Sequence, residues 1–236
     1  MKYNINWQLA ELCGNISKIV YNDLNTVTEY LKTNKIKYSS IKMFDNDNAE
    51  GYGIVMHDYI ILAFRGTGAK DDGEFSISAA FKDFLADIKA WPAESETQGN
   101  VHSGFKTELD KLWPQVTKWL GKKYKTKKLV ITGHSLGAAM ATICASRLHE
   151  LDADLVLYTF GSPRVGDGYW AKQFDDIEHY RIVNNNDLLC ILATIGLANK
   201  FHPSFINTDL FLIISPLNLN IFGYFNHNIL ARPVSI

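Results

Sequence analysis

Near the middle of the chain, Gly133-His134-Ser135-Leu136-Gly137 lies between a β-branched run, Leu129-Val130-Ile131-Thr132, and an Ala- and Leu-rich stretch from Leu136 to His149 that holds no proline. A second compact apolar run, Leu155 to Phe160, follows. Strand, tight turn, helix, strand is a βαβ unit, and such a unit commits its strands to a parallel sheet covered by helices. Gly-x-Ser-x-Gly alone arises by chance in roughly one chain of this length in twelve. The setting gives it weight, because a serine on a sharp strand-to-helix bend needs glycines on both sides, where side chains would meet the neighbouring strand and helix. The competing reading is a serine that merely caps its helix.

The rest of the chain fits an α/β arrangement. Trp7, Leu9, Ala10, Leu12, Cys13, Ile16, Ile19 and Val20 recur at mostly three- and four-residue intervals, which predicts an N-terminal helix. Ile41 to Phe44, Gly51 to Met56 and Tyr59 to Arg65 read as strands joined by Asp45-Asn46-Asp47-Asn48 and His57-Asp58, hence two hairpins. The first turn resembles a calcium loop only superficially, since Ala49 and Glu50 stand where that pattern needs an oxygen ligand and a glycine. Phe105, Leu109, Leu112, Trp113, Val116, Trp119 and Leu120 predict another helix, bent or begun near Pro114, feeding a strand from Lys128 to Thr132. His179 to Asn184 supplies a further strand. No repeat or linker interrupts the 236 residues, which read as a single domain.

Composition removes several classes of function. A formal charge of −1 provides no field to draw the chain to nucleic acid, and Lys122, Lys123, Lys125, Lys127 and Lys128 read as a solvated loop. Cys13, Cys144 and Cys190 are odd in number and widely spaced, which gives neither a disulfide framework nor a metal pair. No cofactor or metal signature is present. The closest approach to a membrane span, Leu210 to Phe225, is broken by Ser215, Pro216, Asn218 and Asn220, so no transmembrane segment is expected. The N-terminus lacks the order of a secretory signal, which makes the cytoplasm the default location, a trimmed leader or another export route aside.

Serine becomes a nucleophile when a histidine accepts its proton and a carboxylate orients that histidine. In the chain order of strand-elbow hydrolases both partners follow the serine, leaving His149, His179, His202 and His227 as bases. Asp187, just past the strand Tyr180 to Asn184, is the leading acid, with Asp154, Asp175, Asp176 and Asp209 as alternatives. Spacing does not separate His202 from His227.

Several motifs in order resemble the class 3 lipases, the family of the fungal triacylglycerol lipases. They are Leu62-Ala63-Phe64-Arg65-Gly66-Thr67, Val101-His102-Ser103-Gly104-Phe105, Thr132 to Ala139 around the elbow, Tyr158 to Gly166, and Arg181-Ile182-Val183-Asn184-Asn185-Asn186-Asp187. The resemblance covers roughly residues 51 to 227. It implies an α/β-hydrolase fold, with a central mostly parallel β-sheet flanked by helices and a helical lid segment. It also implies a triad of Ser135, Asp187 and His227, with an oxyanion hole at Thr67 and Leu136. Phe225-Asn226-His227-Asn228 stands for the family's C-terminal base, and Lys200-Phe201-His202-Pro203 resembles an earlier segment whose histidine is not catalytic. His102 matches a position outside the triad, and Arg65 and Arg164 read as packing or ion-pair residues.

Residues 68–90 contain Ile77, Ala80, Phe81, Phe84, Leu85 and Ile88 at helical spacing, an amphipathic stretch beside the oxyanion residue. By resemblance it is a lid, with Ile77, Phe81, Phe84 and Leu85 facing substrate. The expected activity is hydrolysis of carboxylic esters, acylglycerols first among them, without a cofactor and with transient contact at a lipid surface. A phospholipase A1 or acyltransferase on the same triad, and a non-catalytic lipid-binding module of the same fold, are the alternatives.

Overall fold

Asn6 and Asp23 start the first two helices by capping them: their side chains accept from the Leu9 and Thr26 amides at 3.0 and 2.8 Å. Helix α1 spans Trp7–Ile19 and α2 spans Leu24–Thr33. The computed structural model describes residues 5–67 and 92–184, together with the backbone of two later strands, Ile213–Ser215 and Ile229–Ala231.

Strands β1 (Ser40–Asn46), β2 (Ala49–Val55) and β3 (Tyr59–Phe64) form the two expected hairpins. Asp47 and Asn48 turn the first one, both at positive φ, 49° and 67°, a region these two side chains tolerate and a two-residue hairpin loop requires. A short hairpin, β4 (Pro92–Glu94) and β5 (Asn100–His102), leads into helix α3, Ser103–Leu120. Helix α3 runs through Pro114. Then come β6 (Lys128–His134), α4 (Leu136–His149), β7 (Leu155–Phe160), the short α5 (Gly168–Ala171) and β8 (Glu178–Asn184). The later strands are β9 (Ile213–Ser215) and β10 (Ile229–Ala231).

Among the described residues eight strands make one sheet in the order β1-β2-β3-β6-β7-β8-β10-β9. The central four, β3, β6, β7 and β8, run parallel, and antiparallel strands extend both edges. This is the α/β-hydrolase architecture, and it buries both faces. Ile60, Leu62, Phe64, Leu129 and Ile131 pack with α3 and α4, whereas Ile61, Ala63, Val130, Tyr158 and Tyr180 pack with α1 and α2. Two-sided burial explains why β6 and β7 read as continuous apolar runs rather than as alternating ones.

Helix α4 is buried along its whole course from Leu136 to Leu148. Its small residues, Gly137, Ala138, Ala139, Ala141 and Ala145, permit that close approach. Lys123 to Lys125, inside the basic loop, form a single 3-10 turn, and Lys123 folds back over the Trp119 ring. No helix among the described residues is long and apolar enough to cross a membrane.

Candidate active site

Strand β6 delivers its chain to the carboxyl end of the parallel sheet, and there it must reverse into α4 within one residue. That residue is Ser135, at φ 57° and ψ −123°, a conformation in which a side chain other than glycine's costs about 1–3 kcal/mol. Its neighbours enforce the bend. A Cβ on Gly133 would lie 2.3 Å from the Gly137 carbonyl, and one on Gly137 would lie 2.1 Å from the Phe64 oxygen. The Ser135 amide donates to the Phe160 carbonyl at 3.0 Å, and its carbonyl accepts from Ala138 at 3.0 Å. The serine side chain makes no capping bond to α4, which excludes the role of a simple helix cap.

The register of β3 on β6 pairs Phe64 with Gly133, so Thr67 and Ser135 leave the carboxyl ends of adjacent parallel strands. The loop after β3 is fixed by the Arg65 amide, which donates to the Glu50 carbonyl at 3.0 Å, and by an ion pair between the Arg65 and Glu50 side chains. Thr67 Oγ1 is buried and has no hydrogen-bond partner among the described residues. A buried hydroxyl in that state costs about 1–3 kcal/mol. The first amides of α4, Leu136 among them, belong to a helix start, where N–H groups lack intrahelical acceptors and the dipole favours negative charge.

Several candidate bases and acids lie away from this point. His149 closes α4, about 20 Å along the helix from Ser135. His179 sits near the amino end of β8, its Nε2 bonded to Thr159 Oγ1 at 2.9 Å, and burial, with help from Arg181, lowers it to about 3. Asp154 pairs with Lys128 at the amino end of β6, and Asp175 and Asp176 precede the amino end of β8. His102 is structural: its Nδ1 caps α3 by accepting from Gly104 at 3.2 Å, and its ring stacks on Phe105. Arg65 is an ion-pair residue as expected. Asp187, His202, Asp209, His227 and the lid candidates Ile77, Phe81, Phe84 and Leu85 lie outside the described residues.

The sequence reading passed over Tyr21. Its hydroxyl lies 3.1 Å from Nδ1 of His134 and also accepts the Gly66 amide, so it touches the residues before Ser135 and before Thr67. Below it, Ser17 bonds Thr132 Oγ to Oγ at 2.9 Å. A signal was present: polar Ser17 and Tyr21 continue, at four-residue steps from Cys13, the buried side of α1. Burial lowers His134 to about 4, which keeps its ring neutral. Among the described residues no cluster of His, Cys, Asp and Glu side chains is placed to hold a metal ion.

The described arrangement is a serine at a strained bend that opens a helix, with Thr67, whose hydroxyl has no partner among the described residues, following the adjacent strand end. It suits attack on a carbonyl carbon with the developing oxyanion bound nearby.

Residues 61–196 match the family described as Lipase (class 3). Toxin TseL of Vibrio cholerae is 29% identical over 208 residues, 84% of this chain and 31% of the toxin. A lipase of Rhizomucor miehei is 31% identical over 144 residues, 55% of this chain and 36% of that protein. Triacylglycerol lipase OBL1 of Ricinus communis is 28% identical over 242 residues, 78% of this chain and 46% of that protein. The chain thus spans well under two thirds of each of these relatives. In fold it resembles the Lip2 lipase of Yarrowia lipolytica, with a TM-score of 0.59 at 18% identity over 81% of this chain and 75% of that one. It also resembles the Rhizomucor miehei triacylglyceride lipase, with a TM-score of 0.55 at 23% identity over 75% of this chain and 70% of that one.

Proposed function

The chain belongs to the class 3 lipase family, and from that premise we propose that it hydrolyses acylglycerol esters through a serine acyl-enzyme. Ser135 Oγ attacks the ester carbonyl carbon while His227 takes its proton, and Asp187 holds the imidazole in the tautomer that can accept. The carbonyl oxygen, now negative, is met by the Leu136 N–H and by the N–H and hydroxyl of Thr67. Collapse of the adduct breaks the bond to the alcohol oxygen, which leaves with the proton from His227. Water, deprotonated by the same imidazole, then adds to the acyl carbon, the bond to Ser135 Oγ breaks, and the imidazolium returns its proton to Oγ as the fatty acid leaves.

One observation carries this reading: Ser135, at positive φ and with its side chain not used as a cap, leaves the strand end next to the one that leads to Thr67, whose buried hydroxyl has no partner among the described residues. The names of the Rhizomucor and Ricinus relatives support lipid esters as the substrate class. Strand pairing supports the choice of acid and base. Ile229, two residues after His227, pairs with Asn184, three residues before Asp187, and that pairing is at the carboxyl end of β8. Ser135 stands at the same end of the parallel strands. Among the described residues no such link supports His202, which precedes β9 by eleven residues.

The test is labelling with a fluorophosphonate probe, mapping of the modified peptide, and turnover of emulsified acylglycerols. Labelling is expected at Ser135 and absent in Ser135→Ala. His227→Ala and Asp187→Asn should each lower kcat by about 10⁴-fold, the scale seen when a triad member is removed. His202→Ala should keep most activity. A folded parent protein that leaves Ser135 unlabelled and cleaves no ester would overturn the proposal.

A further inference from the structure

The mechanism leaves unused a polar seam between α1 and the strand that carries the elbow. Cys13 and Ser17 on α1, and Tyr21 in the turn just after it, follow one another at four-residue steps, and Thr132 and His134 share one face of β6 at a two-residue step. The two faces meet residue by residue. The Cys13 thiol and Ser17 Oγ bond Thr132, and Tyr21 Oη bonds His134. Ser17, Tyr21, Thr132 and His134 are all buried in an otherwise apolar interface, where a polar atom must be paired.

Tyr21 differs from the others in its reach. A Cβ built on Gly66 would stand 2.3 Å from Tyr21 Oη and 2.5 Å from the His134 carbonyl oxygen, so these three groups occupy one small volume. Gly66 is the residue before Thr67, and His134 the residue before Ser135. One donor pattern satisfies the hydroxyl with both neighbours: the Gly66 N–H donates to Oη, and the Oη–H donates to His134 Nδ1. Burial holds the phenol protonated and the imidazole neutral, as that pattern requires.

The geometry points to Tyr21 as a positioning residue that clamps the Gly66 amide to the His134 imidazole and so sets the spacing between the Thr67 and Ser135 hydroxyls. The role rests on the proposed acyl transfer and deepens it. Among the described residues Tyr21 touches no reacting atom. It acts by tying together two short backbone segments that leave the ends of adjacent parallel strands, and misplacement of a reacting group by about 1 Å can cost 10²-fold in rate.

The experiment compares Tyr21→Phe with Ser17→Ala, each of which removes a buried hydroxyl from the same seam. With a dissolved short-chain ester, Tyr21→Phe is expected to lower kcat by about 10- to 100-fold with KM within about twofold. Affinity for a trifluoromethyl ketone, which forms a tetrahedral adduct on serine, should weaken by the same factor. Ser17→Ala should show a comparable loss of thermal stability with kcat within about twofold of the parent. Nitrogen NMR of His134 in the parent protein provides a readout independent of either variant's folding, with the proton expected on Nε2 and Nδ1 accepting. A kcat for Tyr21→Phe within twofold of an active parent, equal kcat losses in both variants, or a proton on Nδ1 would overturn the clamp while leaving the hydrolase reading intact. An inactive, unlabelled parent would instead refute the hydrolase reading, and the clamp with it.

Discussion

Thr67 Oγ1, buried without a partner among the described residues, is a group that folding alone would not favour. Thr67→Val keeps the shape and removes the hydroxyl, so its two effects should have opposite signs. The melting temperature should rise, by the equivalent of about 1 kcal/mol, because an unpaired polar atom is gone. The turnover number should fall by about 10²-fold, the usual scale for losing one oxyanion donor. Thermal melts and initial rates on the same preparation check both. The bend at Ser135 was legible in the sequence because glycine spacing is a local signal, whereas Thr67 entered only through the family resemblance. Tyr21 was not legible, because what makes it matter is contact with residues 45 and more than 110 positions away, and no periodicity encodes that.

Elements that bury a broad face were legible in two ways: α1 and α3 repeat their apolar residues at the helical period, whereas β6, α4 and β7, enclosed on both sides, read as apolar runs marked off by turn residues. Helix α2 was missed, since its described buried positions are only Val27 and Leu31. The β4-β5 hairpin was missed as well, because three-residue strands are too short to show alternation. That hairpin is held from outside. Glu96 in its turn pairs with Lys106 of α3 and Arg147 of α4, Arg147 also bonds Asp110 at 2.6 Å, and Trp170 Nε1 donates to Ser95 at 3.1 Å. The Arg147 side chain is 5% exposed, but Glu96 and Asp110 are 41% and 43% exposed and can recover hydration. Arg147→Met should therefore cost about 1–2 kcal/mol, less than a fully enclosed pair would. Urea denaturation should show that loss shrinking as salt is added to both proteins.

Among the described residues, His102 and His134 are buried, His179 is half-buried, and all three are held neutral. Desolvation holds the first two at about 4 and, with Arg181 adding to it, the third at about 3, against 6.5 in the unfolded chain. Between those values the unfolded state binds protons that the folded state refuses, so stability falls as pH drops below 6.5 and the fall levels off below the folded-state values. Each histidine contributes a slope of about 1.4 kcal/mol per pH unit in that window. Denaturation midpoints measured from pH 7.5 to 4.5 should follow this trend, and His179→Gln should flatten it by about one histidine's share.

Because α4 is enclosed from Leu136 to Leu148, it has no outward side on which sequence can drift freely. A bulkier group at Ala141 or Ala145 would push the helix sideways off its neighbours, and that helix begins at the bend where Ser135 stands. Variant libraries meant to reshape acyl preference should leave this stretch alone and draw their diversity from the loops around the open end of the sheet.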